Sequence, residues 1–244
     1  MALLEIRDLT KTFGGITAVD GCSFAVEEGS ITALIGPNGA GKTTVFNLIS
    51  GLHKADTGTV SFDGAPIGHL RPHQVTRRGI SRTFQISRHL GDLTVLENLV
   101  VQSPTGGFLD VMRRAIMSEE RDRALDLLDF VGIADMAHEP AARLSYGQKK
   151  LMDLAAGLMA GPRLFMLDEP AGGINPALLE TIIDRVQALR KEGVTFLIVE
   201  HNMDVVMNLC DPVVVMAYGK CLATGAPTAI QSDEAVLEAY LGVA

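Results

Sequence analysis

The sequence predicts an α/β fold: a core around a mostly parallel sheet, an antiparallel β subdomain at its N-terminal side and an inserted α-helical subdomain. Three observations carry this. Short alternating runs fill the first 30 residues, apolar strand candidates alternate with helix-period segments in the second half, and residues 86–160 lose their strand signals altogether. At 244 residues the chain is ample for one large domain. Hydrophobic residues at 47% and charged residues at 20% give a globular balance and exclude a disordered tail or a collagen-like fibre.

Element by element, LLEIRDL and SFAVEEG read as edge strands, with turns at Gly14-Gly15 and Asp20-Gly21. Ile31–Ile35 is an uninterrupted apolar run ending at Gly36, as expected of a buried strand feeding a tight turn. From Lys42 the period becomes helical through Val45, Phe46, Leu48, Ile49 and Leu52, with Gly51 closing it. Val60-Ser61-Phe62 is a strand entering a turn at Asp63-Gly64. Leu125, Leu128 and Val131 keep helical spacing inside the insertion. Buried strands are predicted at Leu164–Leu167, Thr195–Val199 and Val213–Met216, with a core-facing helix over Ala177–Lys191 marked by Leu178, Ile182, Val186 and Leu189.

The formal charge of -8 is a poor basis for binding duplex DNA, and no nucleic-acid partner is expected. Cys22, Cys210 and Cys221 are odd in number and lack CxxC or His-rich neighbours, which predicts reduced thiols, no disulfide and no zinc site. The longest membrane-span candidate, Leu151–Leu167, is broken by Asp153, Pro162 and Arg163. Glu5 and Arg7 argue against a signal peptide. The expected location is the cytoplasm, with any membrane role supplied by a partner.

Gly36-Pro37-Asn38-Gly39-Ala40-Gly41-Lys42-Thr43 satisfies G-x-x-x-x-G-K-[ST] between a predicted strand and a predicted helix, the context this phosphate loop (P-loop) requires. Its glycines let successive N–H groups face one anion, and the helix N-terminus adds its positive dipole end. Gly36 to Thr44 are therefore read as the nucleotide-binding loop, Lys42 reaching the β- and γ-phosphates and the Thr43 hydroxyl serving Mg²⁺. Leu164-Phe165-Met166-Leu167 carries Asp168 and Glu169 to a strand's C-terminal end, where open α/β sheets bind ligands. Asp168 is read as a second Mg²⁺ residue and Glu169 as the group polarising the water that attacks the γ-phosphate. Together they indicate a nucleoside-triphosphate hydrolase with a P-loop nucleotide-binding core.

Further segments make the chain resemble the ATP-binding cassette (ABC) family over essentially its whole length. Leu144-Ser145-Tyr146-Gly147-Gln148 is similar to that family's LSGGQ signature, with Tyr146 where glycine is commonest. Ser145 and Gln148 also form a capping box for a helix through Leu151, Leu154 and Leu158. The resemblance implies that Ser145, Gly147 and Gln148 bind the γ-phosphate of an ATP held by a second subunit, so that each ATP is sandwiched in a dimer. It implies further that Gln85 is the Q-loop glutamine reaching Mg²⁺ or the attacking water, and that His201 is the switch histidine, although Glu200 beside it offers a local pairing partner. Phe13 occupies the place of the aromatic that stacks on adenine, or else is a half-buried strand aromatic. Ala171-Gly172-Gly173-Ile174-Asn175 falls at the D-loop, with Asn175 replacing the usual aspartate.

Arg82-Thr83-Phe84-Gln85, Leu93–Leu99, the Tyr-Gly-Gln signature, Glu200–Asp204 and Glu238–Gly242 resemble the ATPases of branched-chain amino-acid importers. Several of these segments recur in urea and short-chain amide importers; a soluble, non-transport ABC ATPase is the more distant alternative. The resemblance implies ATP and Mg²⁺, a second identical or related ATPase subunit, transmembrane permease subunits, a periplasmic or extracellular substrate-binding protein, and a peripheral position on the cytoplasmic face of the membrane. It divides the chain into a nucleotide-binding core (1–85 and 161–244) and a helical subdomain (86–160). From the length, the C-terminal regulatory domain of some sugar and methionine importers is not expected. The expected permease-docking surface is Ile86–Leu99, where Leu90, Leu93, Val95 and Leu96 read equally well as a small packing cluster.

Overall fold

A computed structural model describes residues 1–83, 90–103 and 118–241. Two sheets organise it. The first is antiparallel, in the order β2-β1-β4-β5, with β1 at Ala2–Phe13, β2 at Ile16–Glu27, β4 at Thr57–Phe62 and β5 at Ala65–Pro66. The second has the order β10-β9-β3-β8-β7-β6, from β3 (Ile31–Ile35), β6 (Ile80–Arg82), β7 (Leu164–Asp168), β8 (Thr195–Val199), β9 (Val213–Ala217) and β10 (Lys220–Gly225). Its pairings are parallel except at β10, which runs antiparallel to β9.

The parallel strands are apolar throughout because both faces are covered. Ile31, Ala33, Phe165, Leu167, Phe196, Ile198, Val213 and Val215 face one core, shared with the helical insertion. Leu34, Leu164, Met166, Leu197, Val199, Val214 and Met216 alternate into a second core beneath the antiparallel sheet. That second core also takes Val45, Phe46, Leu48 and Ile49 of helix α1 (Lys42–Ile49). Leu52 is not part of that helix; it lies beyond the turn at Gly51 and is exposed.

Asp20-Gly21 is not a turn. Both residues lie inside β2, where the pairing slips between Leu9↔Cys22 and Lys11↔Val19 and Gly21 takes a φ of 63°. The dipeptide makes a bulge, which needs the same left-handed backbone freedom as a tight turn.

Between β6 and β7 the described chain is helical: α3 (Val95–Val100), α4 (Ser118–Val131), two short 3₁₀ turns, and α5 (Tyr146–Leu158). Val95, Leu96 and Leu99 are buried against Leu128, Val131 and Leu154, so most of the apolar side chains of the 90–99 stretch pack inward; Leu90 is the exposed one. Helix α2 (Pro72–Arg77) precedes β6; α6 (Pro176–Lys191), α7 (Met203–Leu209), α8 (Pro227–Gln231) and α9 (Glu234–Leu241) follow in the C-terminal half. Among the described residues no helix is long and apolar enough to cross a membrane.

The three cysteines are free thiols, yet Cys22 on β2 and Cys221 on β10 lie with their sulfurs 2.6 Å apart. Their separation of 199 positions in sequence hid this contact between the two sheets.

Candidate nucleotide site

β3 delivers the chain to Gly36 at the C-terminal edge of the parallel sheet, and two glycines then make the loop possible. A Cβ on Gly36 would run into the Met216 carbonyl oxygen, and one on Gly41 into that of Ala18. Gly41 also holds a φ of 102° and caps α1 without any side-chain hydrogen bond. The first-turn N–H groups of α1 thus point outward with the positive end of the helix behind them. The loop is wedged from behind: Gly219 N–H donates to the Ala40 carbonyl at 3.1 Å, and Asp20 N–H to that of Gly219 at 2.8 Å.

Lys42 lies across this loop, its Nζ donating to the carbonyls of Gly36 at 2.7 Å and Pro37 at 3.0 Å. Burial lowers its pKa, opposed by the negative charges of Glu169 and Asp168. A cleft of about 330 Å³ opens above, lined by Ala18, Asn38–Thr44, Glu169 and His201.

The two acids and the imidazole are placed for separate reasons, Glu169 and His201 at the rim and Asp168 behind it. Asp168 ends β7 and is buried, with its N–H donating to the Thr83 hydroxyl at 3.3 Å. Glu169 follows with a φ of 50°, a left-handed turn that lifts the next side chain out of the sheet. That turn is pinned: Glu169 N–H donates to Val199, while its carbonyl accepts from Gly172 N–H and from Lys150 Nζ. His201 emerges two residues past the end of β8, after Glu200, and its Nε2 sits 2.8 Å from Glu169 Oε1. Glu200 does not pair with the imidazole. Its buried carboxylate accepts backbone N–H groups from Ala171, His201 and Asn202, clamping the β7 and β8 exits together.

The structure gathers Asn38–Thr44, Glu169 and His201 around one cleft, with Gly36 and Pro37 beneath it as the carbonyl partners of Lys42. Asp168 does not line that cleft; it is buried beside it, close enough for its charge to act on Lys42, and faces a separate small cavity with Thr83 and Lys150. Gln85 lies outside the described residues. Phe13, at the end of β1, is exposed, edge-on to His53 and with Lys11 Nζ 5.3 Å from its ring centre; it does not line the phosphate cleft. Neither do Ser145, Gly147 and Gln148, which open α5 as a complete capping box: Gln148 N–H donates to Ser145 Oγ at 3.3 Å and Ser145 N–H to Gln148 Oε1 at 2.9 Å.

A P-loop, an acid pair at the end of β7, an imidazole after β8 and a separate capped signature helix are the parts of one known assembly, and the family described as "ABC transporter" matches residues 19–172. The chain belongs to the ATP-binding cassette family. A second, C-terminal family, "Branched-chain amino acid ATP-binding cassette transporter", matches residues 220–244. The chain is 41% identical to the "Probable branched-chain amino acid transport ATP-binding protein LivG" of Archaeoglobus fulgidus, over 99% of this chain and 96% of that protein. It is 39% identical to the "High-affinity branched-chain amino acid transport ATP-binding protein BraF" of Pseudomonas aeruginosa, over 99% and 98% respectively. The solved ADP conformation of an ATP-binding cassette of an ABC transporter superposes with a TM-score of 0.89 at 35% identity, covering 99% of both chains.

Within this cassette the two departures from the commonest motifs have structural partners. Tyr146 donates its hydroxyl to the Gly172 carbonyl at 3.1 Å and lays its ring against Gly173, joining the signature to the D-loop of the same chain. Asn175 caps α6, its Oδ1 accepting from Leu178 N–H at 2.9 Å. A Cβ on Gly147 would meet the end of the Leu178 side chain, which would have to shift to admit it. Sequence reasoning missed Arg82, which pairs with Asp168, and Glu200, whose carboxylate accepts three backbone N–H groups. An arginine ending a strand beside the acid strand was the available signal for the first; the second had none.

Proposed function

We propose that this chain is the ATP-hydrolysing subunit of an importer for branched-chain or other hydrophobic amino acids. The observation that carries the ATPase reading is the 2.8 Å Glu169–His201 contact at the rim of the cleft built by the P-loop. The similarity to LivG and BraF over 99% of this chain supports the substrate class.

In this reading ATP lies with its phosphates on the loop Gly36–Thr44, where backbone N–H groups, the α1 dipole and Lys42 meet the negative charge. Lys42 exchanges its two carbonyl partners for the β- and γ-phosphate oxygens. The side chains fit Mg²⁺: the Thr43 hydroxyl and the Asp168 carboxylate are hard oxygen donors on adjoining elements, with Gln85 as a third. When bound, Mg²⁺ offsets charge on the β- and γ-phosphate oxygens. Glu169 orients a water against the γ-phosphate and takes its proton as the new P–O bond forms and the bond to ADP breaks. His201, held by Glu169, turns a ring N–H toward the γ-phosphate.

Ser145, Gly147 and Gln148 stand away from this cleft, so they serve the ATP of a second cassette, identical or related. Phe13 is the adenine platform, its exposed ring offering a face for stacking. The core (1–85, 161–244) and helical subdomain (86–160) flank a groove that receives the permease near Ile86–Leu99, of which Leu90 is the exposed apolar contact among the described residues. The subunit is then peripheral, on the cytoplasmic face of the cell membrane, and works with a substrate-binding protein on the other side. Co-purification with the permease, followed by reconstitution in liposomes with the binding protein, tests this. Uptake of radiolabelled leucine that requires ATP on the cassette side is expected. ATP-dependent uptake of urea or acetamide, with none of leucine, would overturn the substrate class.

A further inference from the structure

We infer that Arg82 is a positioning residue of the Mg²⁺ site, holding Asp168 by one carboxylate oxygen and fixing it to the P-loop helix. The inference rests on the ATPase reading above and deepens it.

Arg82 ends β6, the strand beside β7, in register with Met166. Its Nη2 donates to Asp168 Oδ2 at 2.9 Å, and the two side chains retain only 7% and 3% exposure. The other arm of the guanidinium turns to α1: Nη1 donates to Asn47 Oδ1 at 2.7 Å and Ser50 Oγ at 3.2 Å. The guanidinium carbon stands 5.3 Å from the centre of the Phe46 ring, also on α1. One planar cation therefore spans the two elements that present Asp168 and Thr43, the proposed metal donors. A lysine has no fork to do this.

The chemistry of the pair explains why such a bridge is useful. A carboxylate buried as deeply as Asp168 is costly to keep ionised without a partner. Arg82 supplies the opposite charge but engages Oδ2, which leaves Oδ1 for the metal or a water on it. The same contact fixes the rotation of the carboxylate plane, while Thr83 accepting the Asp168 N–H fixes its backbone. Such an outer partner sets how well the ligand is oriented, and its loss typically costs 10–100-fold in metal affinity.

The test measures how much Mg²⁺ strengthens ADP binding to the whole chain, by titrating a fluorescent ADP with Mg²⁺ and with EDTA. Arg82→Met should leave metal-free ADP affinity within about twofold and cut the Mg²⁺ enhancement by roughly tenfold or more. Asp168→Asn should cut it as well, and adding Arg82→Met to that background should change nothing further, because Arg82 acts through Asp168. An undiminished enhancement in Arg82→Met, or an equal loss in the Asp168→Asn background, overturns the inference. If Asp168→Asn itself keeps the full enhancement, it is the Mg²⁺ reading of the site that fails. Should Arg82→Met not fold, Arg82→Lys carries the same test: it keeps the buried cation without the two-armed bridge, and a parental Mg²⁺ enhancement there overturns the proposal.

Discussion

Lys42 and Asp168 keep 6% and 4% of their surface, whereas Tyr146, at the opening of the signature helix, keeps 55%. The two motifs belong to one family pattern but are held in opposite ways. Around the P-loop the buried charged groups are gripped from more than one side: Lys42 by two carbonyls, Asp168 by Arg82 and Thr83, Glu200 by three backbone N–H groups. The signature has its own cap, a tyrosine bonded to Gly172 and lying on Gly173, and Gly147 close to Leu178, with Ser145 and Tyr146 largely exposed. Preorganised donors cost little reorganisation when a charged ligand arrives. An exposed helix N-terminus is suited instead to meeting a ligand presented by another molecule. The buried half should therefore tolerate little change and control chemistry, and the exposed half should control assembly.

The largest effect is expected from Glu169→Gln. The substitution preserves size and leaves Lys42, Thr43 and Asp168 intact, but removes the carboxylate proposed to receive the water's proton, a contribution of about 10²–10⁴ in rate. Removing a negative charge beside the γ-phosphate should also let an ATP-bound dimer accumulate. Phosphate release and size-exclusion chromatography with ATP read both halves of this; turnover near the parental rate would remove Glu169 from the mechanism. Next in size is Lys42→Ala. A hydrogen bond to a charged group is worth about 1.5–3 kcal/mol, so ATP binding should weaken roughly 10- to 100-fold. Equilibrium binding to the isolated chain checks it, and unchanged affinity would break the assignment of the P-loop lysine.

The buried half was also the more legible in sequence. Its strands are continuous apolar runs because both faces are covered, and its loop follows from glycines that only a tight turn demands, so Ile31–Thr43 and Leu164–Glu169 could be read locally. His201 was singled out by the family resemblance, at its place after an apolar strand. What escaped was pairing at a distance: Arg82 reaches Asp168 across 86 positions, and Cys22 reaches Cys221 across 199. No periodicity reports such contacts. The Asp20-Gly21 bulge was misread for a different reason, since positive φ serves turns and bulges alike. On the exposed side, Tyr146 and Asn175 read only as departures from a pattern; their partners, a carbonyl of Gly172 and an N–H of Leu178, are products of the fold.

A smaller effect sharpens the boundary between closed and open regions behind the P-loop. Cys22 and Cys210 are buried, and Cys221 is partly open. Hydrogen bonds from the Cys22 thiol and Ser23 N–H lower the Cys221 pKa, while the same pairing and burial raise that of Cys22. Burial, with Glu200 adding to it, pushes Cys210 up to about 12. The thiolate is the reactive form, so a lowered pKa favours alkylation near neutral pH. Under reducing conditions at pH 7.5, iodoacetamide should modify Cys221 at least on the order of tenfold faster than the other two, one pKa unit corresponding to a tenfold ratio. Raising the pH to 9 should accelerate Cys221 less than a denatured thiol, because more of it is already ionised. Peptide mass spectrometry against time resolves the three sites, and equal rates would show that the seam between β2 and β10 is open.

The smallest expected effect, Tyr146→Phe, tests the exposed half directly. The substitution keeps the ring against Gly173 and removes only the hydroxyl that donates to the Gly172 carbonyl. That hydrogen bond is solvent-exposed, so its net worth is at the low end of about 0.5–1.5 kcal/mol, and the carbonyl left behind can bond to water. The melting temperature should fall by no more than about 2–4 °C, as expected for a change of about 1 kcal/mol in a chain of this size. ATP binding to the isolated chain should be unchanged, because Tyr146 is not part of the cleft around Lys42. What should change is the protein concentration giving half-maximal ATPase activity, by about two- to fivefold, since in the proposed dimer Gly172 belongs to the D-loop facing the second cassette and Tyr146 steadies it. A differential measurement separates the two halves: titrate fluorescent ATP against the variant, then assay turnover across a hundredfold range of protein concentration. A shift confined to the second curve places Tyr146 with assembly. A loss confined to the first would mean that the signature helix supports the nucleotide cleft of its own chain, and the division between a buried catalytic half and an exposed assembling half would fall.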